Sequence, residues 1–144
     1  MISFSPGAVN AVLADSGPLV ALLDRSDPHH IACQAALRSI PVPLFTVMPA
    51  LTEAMYLLSF SRKTQQALLE MVSTRRLRLL PVDEEDIPRI RDLMDKYRDL
   101  PMDFADAALV RVAERERLTR VFTIDRRDFS LYRPAGIGSF RLIP

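Results

Sequence analysis

Glycine is scarce in this chain of 144 residues, and its scarcity excludes two classes of nucleotide-binding site. The only glycines are Gly7, Gly17, Gly136 and Gly138. Their spacing forms neither the glycine-rich turn that binds dinucleotides nor the phosphate-binding P-loop. The chain therefore carries no sequence motif for either kind of site.

Cysteine and long apolar segments are equally scarce. Cys33 is the only cysteine, which excludes an internal disulfide and a cysteine-based zinc site and suits a reducing cytoplasm. No apolar stretch reaches the roughly 18–20 residues needed to cross a bilayer. The first ten residues carry no basic segment followed by an apolar one, so we expect no signal peptide. These absences predict a soluble, cytoplasmic protein.

The net charge is low, and almost all of the basic residues are arginines rather than lysines. The formal charge is only +1, so no strong basic field marks the chain as a nucleic-acid binder. Lys63 and Lys96 are the only lysines, so arginine supplies 17 of the 19 basic residues. Arginine binds phosphate through its planar guanidinium, but it is also simply common in some genomes. The sequence leaves both explanations open.

Five short apolar runs alternate with segments of helical periodicity. The runs are Val12–Ala14, Leu44–Val47, Leu77–Val82, Arg120–Ile124 and Phe140–Ile143. Helices are predicted between them, at Pro18–Leu23, His29–Ser39, Ala50–Ser61, Thr64–Ser73, Asp83–Tyr97 and Asp103–Arg117. This alternation predicts a single α/β domain over residues 11–144 with a mainly parallel sheet, and the spacing favours crossovers made of two helices. Met1–Asn10 has no periodicity and is expected to be a flexible lead.

Four carboxylates lie where an apolar run ends or where a predicted helix begins, namely Asp15, Glu53, Asp106 and Asp125. The carboxyl ends of parallel strands form one edge of a sheet, and ligands bind at that edge. Four acids gathered there would repel each other and resist ionisation unless a cation lay among them. The pattern therefore predicts a site for a hard divalent metal ion.

Each acid also has a structural explanation that the sequence leaves open. Asp15 could be the N-cap of the helix near Pro18, and Glu53 could be an exposed residue in the first turns of its helix. Asp103 could be an ordinary N-cap, and it lies one helical turn before Asp106 on the same face. Asp106 precedes a nearly apolar helical segment, so its carboxylate is expected to point at a partner.

Three other polar residues are given lesser roles. Asp128 is expected to cap or brace a turn after Asp125. His29 and His30 are neighbours in sequence and cannot share one helix face, so no catalytic triad can be built on them.

The sequence contexts of the acids resemble the motifs of one known family. The relevant segments are Leu13–Ser16 around Asp15, the helix that carries Glu53, Leu100–Val110 around Asp103 and Asp106, and Phe122–Phe129 around Asp125. In this order and spacing the chain resembles the PIN-domain nucleases, and most closely the VapC-type toxins of bacterial toxin–antitoxin pairs. The resemblance spans Val12 to Ile143, and the lead before Asp15 is longer than in many family members.

This resemblance implies a fold, a reaction and a set of site residues. It implies a five-stranded parallel sheet flanked by helices, Mg²⁺ or Mn²⁺ at the acidic edge, and cleavage of RNA phosphodiester bonds. It gives catalytic and metal-binding roles to Asp15, Glu53, Asp106 and Asp125, with Asp103 as an additional acid of the metal-binding set. Asp15 and Asp106 are expected to bind the ion directly, and Glu53 and Asp125 to hold its water molecules or a second ion. The implied partners are the RNA substrate, a cognate antitoxin protein and a second copy of the chain in a homodimer.

Two other functions remain open at this point. The chain could be a PIN-type nuclease of RNA processing that has no antitoxin, or a non-catalytic interaction module whose acids only cap helices.

Apolar residues in Met55–Leu58, Phe60, Ala67–Leu69 and Met71 also have two interpretations. They belong to the core, or they form an exposed patch that serves a homodimer.

Overall fold

Five parallel strands form the sheet of this protein, which a computed structural model describes over residues 11–40 and 43–144. The strands are β1 (Val12–Ala14), β2 (Leu44–Val47), β3 (Leu77–Leu80), β4 (Arg120–Phe122) and β5 (Arg141–Ile143). Their order across the sheet is β3-β2-β1-β4-β5, and every pairing is parallel. The predicted α/β fold with a mainly parallel sheet is therefore confirmed. Met1–Asn10, predicted to be a flexible lead, lies outside the described residues.

Seven α-helices connect the strands in the described ranges. They are α1 (Ser16–Leu23), α2 (His30–Arg38), α3 (Met48–Leu57), α4 (Arg62–Ser73), α5 (Ile87–Lys96), α6 (Phe104–Glu116) and α7 (Arg126–Leu131), and a 3₁₀ turn at Glu84–Asp86 precedes α5. Helix pairs form three of the crossovers, as the spacing predicts, and α7 alone connects β4 to β5. None of the helices described here is long and apolar enough to cross a membrane.

Several predicted boundaries differ from the structure at the ends of elements. β3 ends at Leu80, because Pro81 has no backbone N–H to donate to a neighbouring strand. α1 begins at Ser16, earlier than predicted, because Asp15 rather than a later residue is its N-cap. α3 ends at Leu57, short of the predicted end. The segment after Asp125 is predicted only as a turn but forms α7, since six residues are too few to show helical periodicity.

Apolar side chains cover both faces of the sheet in two clusters. Leu13 packs in the cluster that contains residues of α5 and α6, whereas Val12 and Ala14 pack in the cluster that contains residues of α1, α2 and α4. This division follows from the alternation of side chains along a strand. All three residues of β1 are fully buried, so the end of β1 is a rigid position at the centre of the sheet.

Two buried acids tie α6 to α5 and to the turn before it. Arg89 donates two hydrogen bonds to Glu114, at 2.9 and 2.8 Å. Asp86 accepts hydrogen bonds from Arg111 and Arg115, each at 2.8 Å. Burial acts to raise the pKa of Asp86 and of Glu114, but these hydrogen bonds and backbone N–H groups outweigh it and hold both pKa values below the usual range. The C-terminal half of α6 is thereby held against α5 and the turn before it.

Gly17, the second residue of α1, allows this helix to lie close to the chain that leaves β4. A Cβ atom on Gly17 would lie 2.8 Å from Cγ1 and 3.0 Å from Cδ1 of Ile124. Ile124 lies between Thr123 and Asp125, so this contact sets the separation of the segments that carry Asp15 and Asp125.

Replacing Gly17 with alanine should destabilise the protein by about 1–2 kcal/mol, measured as the free energy of unfolding in urea. Overpacking commonly costs about 1–3 kcal/mol, which exceeds the gain of about 1 kcal/mol that alanine brings in a helix. An Ile124→Ala background removes the clashing atoms, so the same Gly17→Ala change should be neutral or stabilising there. Equal destabilisation in both backgrounds would contradict the importance of this contact.

Candidate active site at the carboxyl edge of the sheet

Three of the candidate acids are the N-caps of helices that begin near one another. Asp15, Asp103 and Asp125 cap α1, α6 and α7, respectively. Asp15 follows β1 directly, and Asp125 follows the end of β4. The N-cap interpretation is therefore correct for Asp15 and Asp103, and it is compatible with a position at the ligand-binding edge.

Asp15 is almost completely buried, with 7% of its surface exposed. Its Oδ1 atom accepts a hydrogen bond from the Ser16 backbone N–H at 2.8 Å, and its Oδ2 atom accepts one from the Thr123 hydroxyl at 3.1 Å. Burial raises the pKa of Asp15 to about 6; the two hydrogen bonds act against this rise, and the charges of Glu53 and Asp125 add to it. The ionised form of Asp15 is therefore disfavoured unless a positive charge lies nearby.

Asp103 and Asp106 form a capping box at the start of α6. The Asp106 backbone N–H donates to Asp103 Oδ1 at 2.9 Å, and the Asp103 backbone N–H donates to Asp106 Oδ2 at 3.2 Å. Burial, then the charge of Asp103, then the charge of Asp15 raise the pKa of Asp106 to about 8. Asp106 thus lies within electrostatic reach of Asp15, although the two residues are far apart in sequence.

Glu53 lies on α3 and is partly buried rather than fully exposed. Burial raises the pKa of Glu53, the charge of Asp103 raises it further, and a hydrogen bond from the Ser16 side chain opposes the rise. Glu53 and Asp103 also line the same groove. The structure therefore brings Glu53 to the same acidic cluster.

Asp125 joins the cluster from the end of β4. Its Oδ1 atom accepts a hydrogen bond from the Asp128 backbone N–H at 3.3 Å. Burial and the charge of Asp128 raise the pKa of Asp125, and the charge of Arg127 lowers it. Asp128 is buried in the first turn of α7. Its backbone N–H is the group that the Asp125 side chain caps, so Asp128 is not itself the N-cap.

Thr123 is a site residue that sequence reasoning does not identify. Its hydroxyl donates to Asp15 Oδ2 at 3.1 Å and accepts from the Asp125 backbone N–H at 3.0 Å. It therefore holds two of the acidic segments together from a fully buried position. The available signal is a polar residue inside an apolar run, two positions before an acid.

The donor atoms of this cluster suit a hard divalent ion, but they do not form a closed cage. Carboxylate oxygens are the ligands that Mg²⁺ and Mn²⁺ prefer. In the described part of the chain, no three His, Cys, Asp or Glu side chains are grouped so that they could hold one ion. The carboxylates of Asp15, Asp106 and Asp125 are instead turned toward capping hydrogen bonds. Because Mg²⁺ commonly takes one or two protein carboxylates and keeps several water molecules, the acids fit a hydrated ion.

An apolar groove of about 950 Å³ adjoins the acidic cluster. One part of its lining is acidic, with Glu53 and Asp103, and the rest includes Met48, Tyr56 and Phe104. Tyr56 is 77% exposed, and Met48 and Phe104 are each about half exposed. The groove therefore offers apolar surface directly beside the candidate site.

The predicted apolar patch on α3 and α4 divides between core and surface. Leu58 and Leu68 are fully buried and belong to the core. Tyr56, Leu57 and Phe60 are exposed, and Tyr56 lines the groove. The core interpretation is therefore correct for the buried residues of these segments, the others lie at the surface, and the homodimer stays a prediction.

The chain matches known proteins over most of its length. Residues 12–135 match the sequence model of the PIN domain family. Over 135 residues the chain is 30% identical to Ribonuclease VapC26 of Mycobacterium tuberculosis, covering 92% of this chain and 100% of that protein.

Two solved structures share the fold. VapC20 of Mycobacterium tuberculosis, described as a toxin that cleaves the sarcin–ricin loop, matches with a TM-score of 0.75 at 16% identity, covering 81% of this chain and 92% of that chain. A toxin–antitoxin complex from Klebsiella pneumoniae matches with a TM-score of 0.65 at 20% identity, covering 88% of this chain and 92% of that chain. The extent of the family match, together with the curated relative, shows that this chain belongs to the PIN-domain family.

Proposed function

We propose that this protein is an endoribonuclease that depends on Mg²⁺ or Mn²⁺ and acts in the cytoplasm as the toxin of a toxin–antitoxin pair. The observation that carries this proposal is the convergence of acids from separate segments: burial first, and then the charges of neighbouring acids, raise the pKa of Asp15 and Asp106 well above the usual range. The relative named as a ribonuclease and the solved toxin structures support the choice of substrate and role.

Asp15 and Asp106 would hold the ion directly, with Glu53 and Asp125 holding its water molecules or a second ion. Asp103 lies at the exposed rim and would add negative charge to the site. When bound, the ion would activate water for in-line attack and offset the charge that develops on the phosphoryl oxygens.

The protein's own groups orient these carboxylates. The Thr123 hydroxyl and the Ser16 backbone N–H fix both oxygens of Asp15, and the Ser16 side chain orients Glu53. At neutral pH Asp106 retains a proton on its carboxyl group, since its pKa is about 8. Binding of a cation would displace that proton and leave Asp106 ionised.

Single-stranded RNA suits this site because a phosphate must reach acids on an open edge of the sheet. Arg126 and Arg127 follow Asp125 and are exposed. Their side chains would offset the charge of the RNA backbone on either side of the cleaved phosphate. Arg126 also donates a hydrogen bond to the carbonyl of Pro144, which holds it near the end of the chain.

The exposed apolar residues support association with proteins. Tyr56, Leu57 and Phe60 offer surface that a second copy of the chain would cover in a homodimer. Glu53, Asp83, Glu84 and Asp103 make the lining of the groove acidic as well as apolar. A basic, apolar segment of an antitoxin would match both properties and would place an Arg or Lys against the acids.

A non-catalytic interaction module explains the capping hydrogen bonds but not the convergence of the acids. Asp15 and Asp106 raise each other's energy when ionised, as the raised pKa of Asp106 indicates. Helix capping alone would be satisfied by acids that lie far apart. The clustering therefore favours a cation site over the module.

Asp106→Asn should reduce Mg²⁺-dependent cleavage of single-stranded RNA by more than about 100-fold, since it removes a direct ligand. The fold should persist, because the asparagine side-chain oxygen can still accept the hydrogen bond from the Asp103 backbone N–H. The melting temperature without metal should rise, because asparagine has no ionised form for burial and the neighbouring acids to disfavour. Asp95→Asn makes the same change at an exposed position of α5 and should leave cleavage unchanged. Cleavage by the Asp106→Asn protein at the parental rate would show that the site is wrongly assigned.

Expression of this chain alone in a bacterial host should arrest growth, and Asp15→Ala should relieve the arrest. The physical reason is that the variant lacks the central, buried carboxylate of the site. A small DNA-binding protein encoded immediately upstream should suppress the arrest when it is co-expressed. Asp95→Ala serves as the surface control and should remain toxic. Harmless expression of a folded protein that still cleaves RNA would favour RNA processing, and loss of both properties would favour the interaction module.

A further inference from the structure

The hydroxyl group of Tyr132 is the only buried side-chain polar atom in the described residues that has no hydrogen-bond partner. Tyr132 is fully buried, so bulk water does not satisfy this hydroxyl either. The great majority of buried polar groups are hydrogen-bonded, and an exception needs a physical explanation. The unpaired hydroxyl therefore indicates that it gains a hydrogen-bond partner in another state of the protein, such as one with a ligand bound.

Packing fixes the Tyr132 ring. It makes edge-to-face contacts with Tyr97 and Phe129, each with a 5.1 Å separation of ring centroids. Tyr132 is the C-cap of α7, and its backbone N–H donates to the carbonyl of Asp128 at 3.2 Å. The ring cannot turn to find another partner without breaking these contacts.

The groups that act on this hydroxyl belong to the acidic cluster. Burial is the main cause that raises the pKa of Tyr132, followed by the negative charges of Asp106, Asp128, Asp125 and Asp103, in that order. Ionised carboxylates are hydrogen-bond acceptors only. The hydroxyl therefore supplies a buried donor within electrostatic reach of a cluster of acceptors.

Among the four acids, Asp106 acts most strongly on this hydroxyl, and its side chain is loosely held. In its capping box the bond to the Asp103 backbone N–H is 3.2 Å, at the long end of the normal range. The equivalent bond of Asp86 to the Asp83 backbone N–H is 2.9 Å, and Asp86 is also held by two arginines. Among the described ion pairs, none involves Asp106.

We propose that Tyr132 is a positioning residue of the acidic site, whose hydroxyl donates a hydrogen bond to the Asp106 carboxylate when Asp106 binds the divalent ion. Carboxylates that bind metals are generally held by a further hydrogen bond of this kind. The bond favours the ionised, correctly turned Asp106 and so strengthens binding of the ion. This inference rests on the metal site of the proposed function and adds a residue to it.

Tyr132→Phe removes the hydroxyl and keeps the ring contacts. Titration with Mn²⁺ alone, followed by calorimetry, should show a dissociation constant about 10-fold higher than that of the parent protein. The melting temperature without metal should stay the same or rise, because the lost hydroxyl had no partner. The increase in melting temperature on adding Mn²⁺ should be smaller than in the parent. In RNA cleavage, the variant should need more Mg²⁺ for half-maximal rate.

Tyr97→Phe is the matched control, since Tyr97 is a buried tyrosine in contact with the same ring. Its hydroxyl accepts a hydrogen bond from the Arg133 backbone N–H at 2.7 Å. Removing it should lower the melting temperature without metal and leave Mn²⁺ affinity unchanged. Tyr132→Phe should therefore weaken ion binding without loss of stability, whereas Tyr97→Phe should lower stability without weakening ion binding.

The outcomes separate this inference from the proposed function. Binding of Mn²⁺ with equal affinity by the parent and Tyr132→Phe proteins would overturn the role of Tyr132 and leave the proposed function standing. A drop in Mn²⁺ affinity of the same size in Tyr97→Phe would also overturn it, since packing alone would then explain the effect. If the parent neither binds Mn²⁺ nor cleaves RNA, the proposed function fails, and the inference fails with it.

Discussion

Repulsion among carboxylates at one edge of the sheet is the constraint on which the site depends. Asp15, Asp103 and Asp125 each cap a helix, so the hydrogen bonds that begin α1, α6 and α7 also hold the acids in place. These bonds reduce the energetic cost of burying and gathering the acids but do not remove it, since burial first, and then neighbouring negative charges, still raise the pKa of Asp15 and Asp106. A cation at this edge would offset the remaining cost.

Two groups of acids in this protein have pKa values that are shifted in opposite directions. Asp86 and Glu114 are paired with arginines, and both have lowered pKa values. Asp15 and Asp106 have raised pKa values, and no described ion pair involves either of them. Paired acids fix the scaffold around α6, whereas unpaired acids at a sheet edge are typical of functional sites. The contrast within one molecule is the strongest electrostatic argument for a function at this edge.

The sequence predicts the sheet and the acids well because both leave local signals. Strands buried on both faces appear as short apolar runs, so β1 and β2 have the predicted bounds. Acids at the ends of these apolar runs can be recognised in the sequence because they contrast with the apolar residues before them. Thr123 is not predicted, because its role comes from a hydrogen bond to Asp15 across a separation of 108 residues. The unpaired Tyr132 hydroxyl is likewise not predicted, because it results from the packing of the ring in the folded protein. A tyrosine after a short helix does not indicate such burial in the sequence.

The pH dependence of thermal stability, with and without Mg²⁺, tests the central claim most directly. The pKa values of Asp15 and Asp106 are about 6 and about 8 in the folded protein, against a reference value of 3.8. Between pH 4 and pH 8 the folded state therefore binds more protons than the unfolded state, and its stability should fall as the pH rises through this window. Asp86 and Glu114, with lowered pKa values, lose their contribution only at more acidic pH. Saturating Mg²⁺ should remove the fall, so its stabilising effect should be larger at pH 8 than at pH 5. A melting temperature that is constant or rises over this range without metal, and that does not respond to Mg²⁺, would contradict the account.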